Sequence, residues 1–421
     1  MHQVGFWDNG FPYDGTVRSW GHRLRDAGHR VDSIGKLHFR GQGDDHGFSA
    51  EHDPLHVVDG IGDLLGCIRD EAVHRKKRSG ILEAGPGDST YLRYDASNAD
   101  RACRWLGDRK CDEKPWVLFL SFACPHPPYI APEHWFNRYI DTDLPMPEQW
   151  RFEDWPQHPA IDYFRRFFDF EEPFTESEVR RLTAAYLGVC SYLDEQIGRV
   201  LAELEANGLA GSTRVLYSSD HGESMGSRGL YGKFTMYEES VAVPMILAGP
   251  GVPQGRVVDT PVSLVDCYPT VLDSIGIEVD EEDRNLPGAS LLRLAKEPDR
   301  DRTVFSEYHA VGSRDGSYML RDRRFKYVHY AGGDPQLFDL RNDPGELRDL
   351  AATSAGVKRC GEFDRRLRSM LDPEALNRRV KADQREKVEA FGGAEAAIKR
   401  GAFDNSPVPG EAPKFKKSGR P

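Results

Sequence analysis

Three short runs, at residues 116–122 (WVLFLSF), 214–218 (RVLYS) and 244–248 (PMILA), are apolar throughout instead of alternating. A strand that is apolar on both faces must be covered on both faces, which points to a parallel sheet clad in helices. A weaker run at 29–34 follows a helical stretch at 19–27 that stops at Gly28. The strongest helical pattern spans 178–207, where Val179, Leu182, Tyr186, Val189, Leu193, Ile197, Val200 and Leu204 recur at helical spacing. Thr175 and Glu178 read as its capping box and Gly208 as its stop. This helix leads directly into the run at 214–218, and helices feeding buried strands make an α/β architecture. Residues 264–275 read as a further helix, with Pro269 tolerated in the first turn.

After about residue 302 the texture changes. Residues 303–309, 317–321 and 324–330 read as short strands of a small antiparallel sheet, followed by a charged helix over 360–371. Residues 381–421 are polar and end Pro-rich and basic, so they are expected to form an arm or tail. The expected division is therefore 1–302, 303–380 and 381–421. Hydrophobic residues make up 39% and charged residues 29% of the 421, a globular balance. No apolar run approaches the ~20 residues of a membrane helix, so no membrane span is expected. A net charge of −12 argues against a nucleic-acid partner, since phosphate binding needs clustered cations. The seven cysteines are scattered without a CxxC pair, which favours reduced thiols and a cytoplasmic location over a zinc ribbon or disulfide framework.

Four segments carry residues suited to chemistry. Asp220-His221 begins at the carboxyl end of a predicted strand, where open α/β sheets place ligands. An Asp oxygen and an imidazole nitrogen suit a divalent metal. The plainer reading is a helix-capping Asp beside a packed imidazole. Lys233, in a glycine-containing loop, can reach an anion as a point charge, or can be a solvated surface lysine. Lys36 and His38 follow the strand at 29–34, two apart, and share one side if the extended form persists. A cation beside an imidazole lowers the imidazole pKa and keeps it a neutral base. Prolines on both sides of His126 fix its backbone, which suits a preorganised proton donor or simply a rigid loop. The convergence of all four on strand ends says more than any of them alone.

Together these segments resemble the sulfatase family of the alkaline-phosphatase superfamily. The resemblance is carried by Gly229 to Pro250 with Ser219-Asp220-His221-Gly222-Glu223, by Gly35-Lys36-Leu37-His38-Phe39 and by Pro125-His126-Pro127-Pro128-Tyr129. It extends through the long helix around Asp194, Pro261 to Thr270 and Leu337 to Ala351. It implies an alkaline-phosphatase-like, mostly parallel sheet flanked by helices, with a small C-terminal antiparallel α+β subdomain. It also implies a metal-dependent hydrolase of sulfate monoesters. Asp220 and His221 would be ligands of one divalent cation, Ca²⁺ ahead of Mn²⁺ or Mg²⁺. Lys233 would bind a sulfate oxygen, Lys36 and His38 would hold and deprotonate the nucleophile, and His126 would protonate or orient the leaving group.

The family nucleophile is a formylglycine made from Cys or Ser in a Cys/Ser-x-Pro/Ala-x-Arg motif. This reading expects the motif to be missing at every cysteine and every serine; none of the seven cysteines is followed by x-Pro/Ala-x-Arg. The family's opening strand with its metal-binding Asp pair is also expected to be missing. The remaining two metal ligands cannot fill the six to eight positions that Ca²⁺ favours. The consequences expected are an inactive or severely impaired chain and unpaired strand edges. The alternatives are a phosphonate or phosphodiester hydrolase of the same superfamily and a noncatalytic binding protein. Trp7, Asn9 and Tyr13 are candidates for lining the pocket of a small sulfate ester, and the arm at 381–421 for bridging subunits of a homo-oligomer.

Overall fold

The structure, a computed structural model, describes residues 1–70, 73, 75, 77–110, 112, 114–403 and 405–416. Cys111 and the last five residues of the expected arm lie outside the described residues. Helix α1 (Trp20–Asp26) turns through Gly28 into β1 (Arg30–Lys36). This strand is the centre of a parallel three-stranded sheet, with β2 (Ala50–Leu55) on one side and, after helix α2 (Thr90–Asp108), β3 (Trp116–Ser121) on the other. At Gly35 (φ +97°) any Cβ would lie 2.1 Å from the Ser121 carbonyl oxygen. Only glycine lets the two strands close at the end from which Lys36 emerges.

The expected long helix is α3 (Glu176–Ala206). The Thr175 hydroxyl accepts the Glu178 N–H at 3.3 Å, and the Glu178 carboxylate accepts the Thr175 N–H at 2.7 Å. Val179, Leu182, Val189 and Leu193 are buried along its face, as the spacing predicts. Strands β4 (Val215–Ser218) and β5 (Met245–Ala248) coincide with the other two apolar runs. They pair antiparallel with each other, correcting the expectation that all these runs share one parallel sheet. The segment between them holds the site loop and two short helical turns, not the crossover helix a parallel pair requires. Strands β3 and β4 both pack on the cluster of Ile34, Ala102, Trp105, Leu106 and Leu204, yet neither has a described strand on its second side. Helix α4 (Cys267–Ile275) carries Pro269 in its first turn, where the missing N–H costs nothing.

Strands β6 (Val304–Tyr308), β7 (Ser317–Arg321), β8 (Phe325–Tyr330) and β9 (Gln336–Asp339) form the expected antiparallel sheet. Helix α5 (Ser354–Met370) follows, and its Phe363 and Leu367 join the core made by Tyr318, Leu320, Tyr327 and Trp7. The boundary expected at 380/381 falls inside helix α6 (Pro373–Phe391), and α7 (Ala394–Arg400) comes after it. The expected tail is therefore helical as far as Arg400 and partly buried beyond it, with residues 409–412 and 414–416 exposed. Gln384 of α6 is buried and donates to Asp8 (2.6 Å) and to the His309 carbonyl (2.9 Å), so polar residues bury here because each finds a partner. No described helix is long and apolar enough to cross a membrane.

Candidate active site

Three strand ends deliver the site. Beyond β1 the N–H groups of Leu37 and His38 both donate to the Leu55 carbonyl, at 3.1 and 2.7 Å. The extended form ends at Lys36, and His38 sits at φ +59°, a conformation non-glycine residues adopt only under constraint. Strand alternation is therefore not what brings Lys36 and His38 together; the turn does. Beyond β3, the buried carboxylate of Asp95 on α2 accepts the N–H groups of Ala123 (2.8 Å) and Cys124 (2.7 Å), anchoring the loop that carries His126. Burial pushes the Asp95 carboxyl up to about 6 despite these two bonds. Beyond β4, the Gly222 N–H donates to the Ser240 carbonyl at 2.8 Å. A Cβ at Gly222 would meet the Glu239 oxygen at 2.0 Å, so this approach also needs glycine. Glu223 accepts the Gly232 N–H at 2.5 Å and so sets the position of Lys233.

Lys36, His38, His126, Asp220, His221 and Lys233 all line one cavity of about 1430 Å³. The Lys233 ammonium donates to His221 Nε2 at 2.7 Å, and the nearer Asp220 oxygen lies 3.5 Å from the same nitrogen. The ring of His126 is centred 6.5 Å from that of His221. Both imidazoles have Nδ1 within 2.9 Å of a carbonyl, that of Pro127 for His126 and that of Gly222 for His221. A carbonyl only accepts, so Nδ1 carries the proton and Nε2 presents a lone pair to the cavity.

The electrostatics are those of a site waiting for negative charge. Among the described residues no carboxylate lies within ion-pair distance of Lys36 or Lys233. Burial and then Lys36 pull the Lys233 ammonium down to about 7, against the opposing pull of Asp220. Burial, followed by the two lysines, lowers His38 to about 3 and His126 well below the ordinary imidazole range. Asp220 goes the other way: burial would raise it, but His221 and the two lysines hold it below the usual carboxylate range. Its side chain is 68% accessible although protein surrounds it, because it projects into the open cavity. A tetrahedral oxyanion placed there would relieve the repulsion between the lysines.

Asp220 and His221 fit a divalent cation as part of a ligand set, one hard oxygen and one imidazole nitrogen. They are not a complete set. Among the described residues no group of three or more His, Cys, Asp or Glu side chains could hold a metal, and His221 Nε2 is engaged by Lys233.

Of the pocket candidates, Trp7 and Asn9 line the cavity and Tyr13 does not. Trp7 is also core: its indole N–H donates to Asp383 at 2.9 Å and its ring is almost wholly buried. The Tyr13 ring packs edge-on against Phe6 and Phe39, and its hydroxyl donates to the Val17 carbonyl at 2.5 Å. Sequence reasoning missed Tyr91, Phe403 and Ser406, which also line the cavity. It also overlooked one serine that does head the nucleophile pattern, Ser97-Asn98-Ala99-Asp100-Arg101. That serine is exposed on α2 and outside the cavity, and its Arg101 pairs with Asp53 at 2.5 Å. No described cysteine lines the cavity either; Cys67 and Cys124 are buried thiols pushed well up by that burial.

Residues 15–277 match the Sulfatase family model, and residues 226–372 match that of the N-sulphoglucosamine sulphohydrolase C-terminal region. The chain belongs to the sulfatase family. This sulfatase is 30% identical over 407 residues to arylsulfatase K of Danio rerio, covering 90% of this chain and 74% of that protein. It is 32% identical over 368 residues to choline-sulfatase of Rhizobium meliloti, covering 83% of this chain and 70% of that one. Among solved structures, the phosphonate monoester hydrolase of Agrobacterium radiobacter superposes with a TM-score of 0.65 at 25% identity, covering 91% of this chain and 83% of that one. The fold is alkaline-phosphatase-like, as the resemblance implies. Sulfatases generally work with a divalent metal and a formylglycine.

Proposed function

We propose that the cavity binds sulfate monoesters of a small alcohol, with the charge-neutralising groups of a sulfate-ester hydrolase but no nucleophile among the described residues. The observation that carries this reading is that Lys36, Lys233, His38, His126, Asp220 and His221 all line one cavity, the two lysines having no carboxylate at ion-pair distance among the described residues. A sulfate monoester is anionic, so its charge must be neutralised before a nucleophile can approach sulfur. Lys36 and Lys233 supply that neutralisation. Asp220 and His221 would contribute two ligands to a divalent cation, Ca²⁺ ahead of Mn²⁺ or Mg²⁺, which would polarise a sulfate oxygen when bound. His126 presents Nε2 as an acceptor in the resting state. It becomes a proton donor to the leaving oxygen only after gaining a second proton, which a bound anion favours.

No described cysteine or Ser-x-Ala-x-Arg serine reaches the cavity, so we expect this chain to bind sulfate esters and turn them over very slowly or not at all. A second reading, a phosphonate monoester hydrolase, is favoured by the structural likeness to the Agrobacterium radiobacter enzyme. Binding and hydrolysis of 4-nitrophenyl sulfate and of a phenyl phosphonate monoester, with each of the three metals supplied, separate the two. Binding of the sulfate ester with turnover near background is the expected outcome. Faster turnover of the phosphonate shifts the assignment to the second reading, and failure to bind either ester contradicts both.

A further inference from the structure

The C-terminal segment reaches the site through a closed loop. Ala402 and Lys416 exchange backbone hydrogen bonds at 3.0 and 2.6 Å, tying the two ends of the loop together. Arg400, just before it, donates to the Gly62 carbonyl at 2.7 Å and pairs with Asp59 at 3.1 Å, and its guanidinium lies 5.1 Å over the Phe415 ring. Val408 packs on the main hydrophobic core. Compact loops with tied ends and their own packing are frequent carriers of function. Within this one, the backbone oxygen of Ser406 accepts the Tyr91 hydroxyl at 2.8 Å, which ties the loop to α2. The Ser406 side chain is buried, and its Oγ lies 3.1 Å from His38 Nε2. Phe403 and Ser406 line the same cavity as the two lysines. Both family matches end before this loop, the later of them at residue 372.

We propose that Ser406 is a positioning residue for His38: its hydroxyl holds the imidazole ring by Nε2, so that His38 faces the anion in one orientation. His38 needs such a partner for a physical reason. Its backbone is in the left-handed region, the two lysines oppose its protonated form more than Asp220 favours it, and among the described residues no ion pair holds the ring. A hydroxyl suits the task because it can donate to Nε2 or accept from it, and so serves either tautomer. The loop thereby makes the C-terminal segment part of the site wall.

The inference rests on the reading of the cavity as an anion site, and the test keeps the two apart. The ¹⁵N resonances of the His38 ring and the affinity for inorganic sulfate are measured for the full chain and for Ser406→Ala and Ser406→Thr. Ser406→Ala is expected to shift the His38 Nε2 resonance and to weaken sulfate binding about 5–10-fold, the scale of one lost hydrogen bond. Ser406→Thr, which keeps the hydroxyl, is expected to restore both. Unchanged His38 resonances in a folded Ser406→Ala overturn the proposal, whether or not sulfate binds. A wild-type chain that takes no sulfate overturns the anion-site reading, while the ring resonances still decide for or against Ser406.

Discussion

Two lysines, one enclosed and one half-buried at the cavity wall, show how this molecule uses the same side chain for opposite ends. Lys326, on β8, is fully enclosed and saturated: Glu238 and Glu346 each lie 2.7 Å from its ammonium and the Met236 carbonyl accepts at 2.9 Å. It joins the C-terminal sheet to the segment that follows Lys233. Lys233 itself has an imidazole nitrogen and, among the described residues, no carboxylate at ion-pair distance, with Lys36 close enough to lower its pKa. A saturated buried charge is structural, because every demand it makes is met inside the protein. An unsaturated one stores a demand that only a ligand can meet, which is how an anion site is recognised.

The largest effect should come from breaking the saturated partner. Lys326→Met leaves the enclosed Glu346 carboxylate without its cation, while Glu238 keeps Arg321 at 3.4 Å, and is expected to cost about 3–5 kcal/mol of stability in a denaturant titration. If the midpoint hardly moves, saturation is not what distinguishes the two lysines. A smaller effect places Asp95 between them, since its partners are backbone N–H groups and not a cation. With its folded pKa raised from 3.8 to about 6, the folded state holds a proton that the unfolded state has released. This group's contribution to stability is therefore full below about pH 4 and is lost as pH rises through 6. Asp95→Asn should abolish that dependence and leave one of the Ala123 and Cys124 N–H groups without an acceptor, at a cost of about 1–3 kcal/mol. Stability curves at pH 4, 5, 6 and 7 for both proteins check this; parallel curves would contradict it.

What the sequence made legible follows the same division. The capped α3 is a local pattern, and the structure puts it where its pattern points; the apolar runs do form strands, but not the fully covered ones their composition suggests, for Phe119 and Ile246 remain exposed. The direction of β5 was not legible, because a short apolar run carries no sign of which way it pairs. Nor was the approach of Ser406 to His38. An Asn-Ser-Pro-Val-Pro stretch reads as a solvated tail, and nothing in it records that Tyr91, far away in the chain, fixes its backbone. The serine pattern at Ser97 is the converse case, a match in sequence that the exposed face of α2 removes from the site.

The central claim is that Lys36 and Lys233 are left unsaturated so that a tetrahedral anion can saturate them. Isothermal titration of inorganic sulfate into the wild-type chain and into Lys233→Met tests it most directly. The account predicts one sulfate per chain, bound more than about tenfold more weakly by the variant, the scale of one charge-assisted hydrogen bond, with thermal stability unchanged or raised. Equal affinity in the two proteins, or a variant that loses stability as Lys326→Met should, would contradict it.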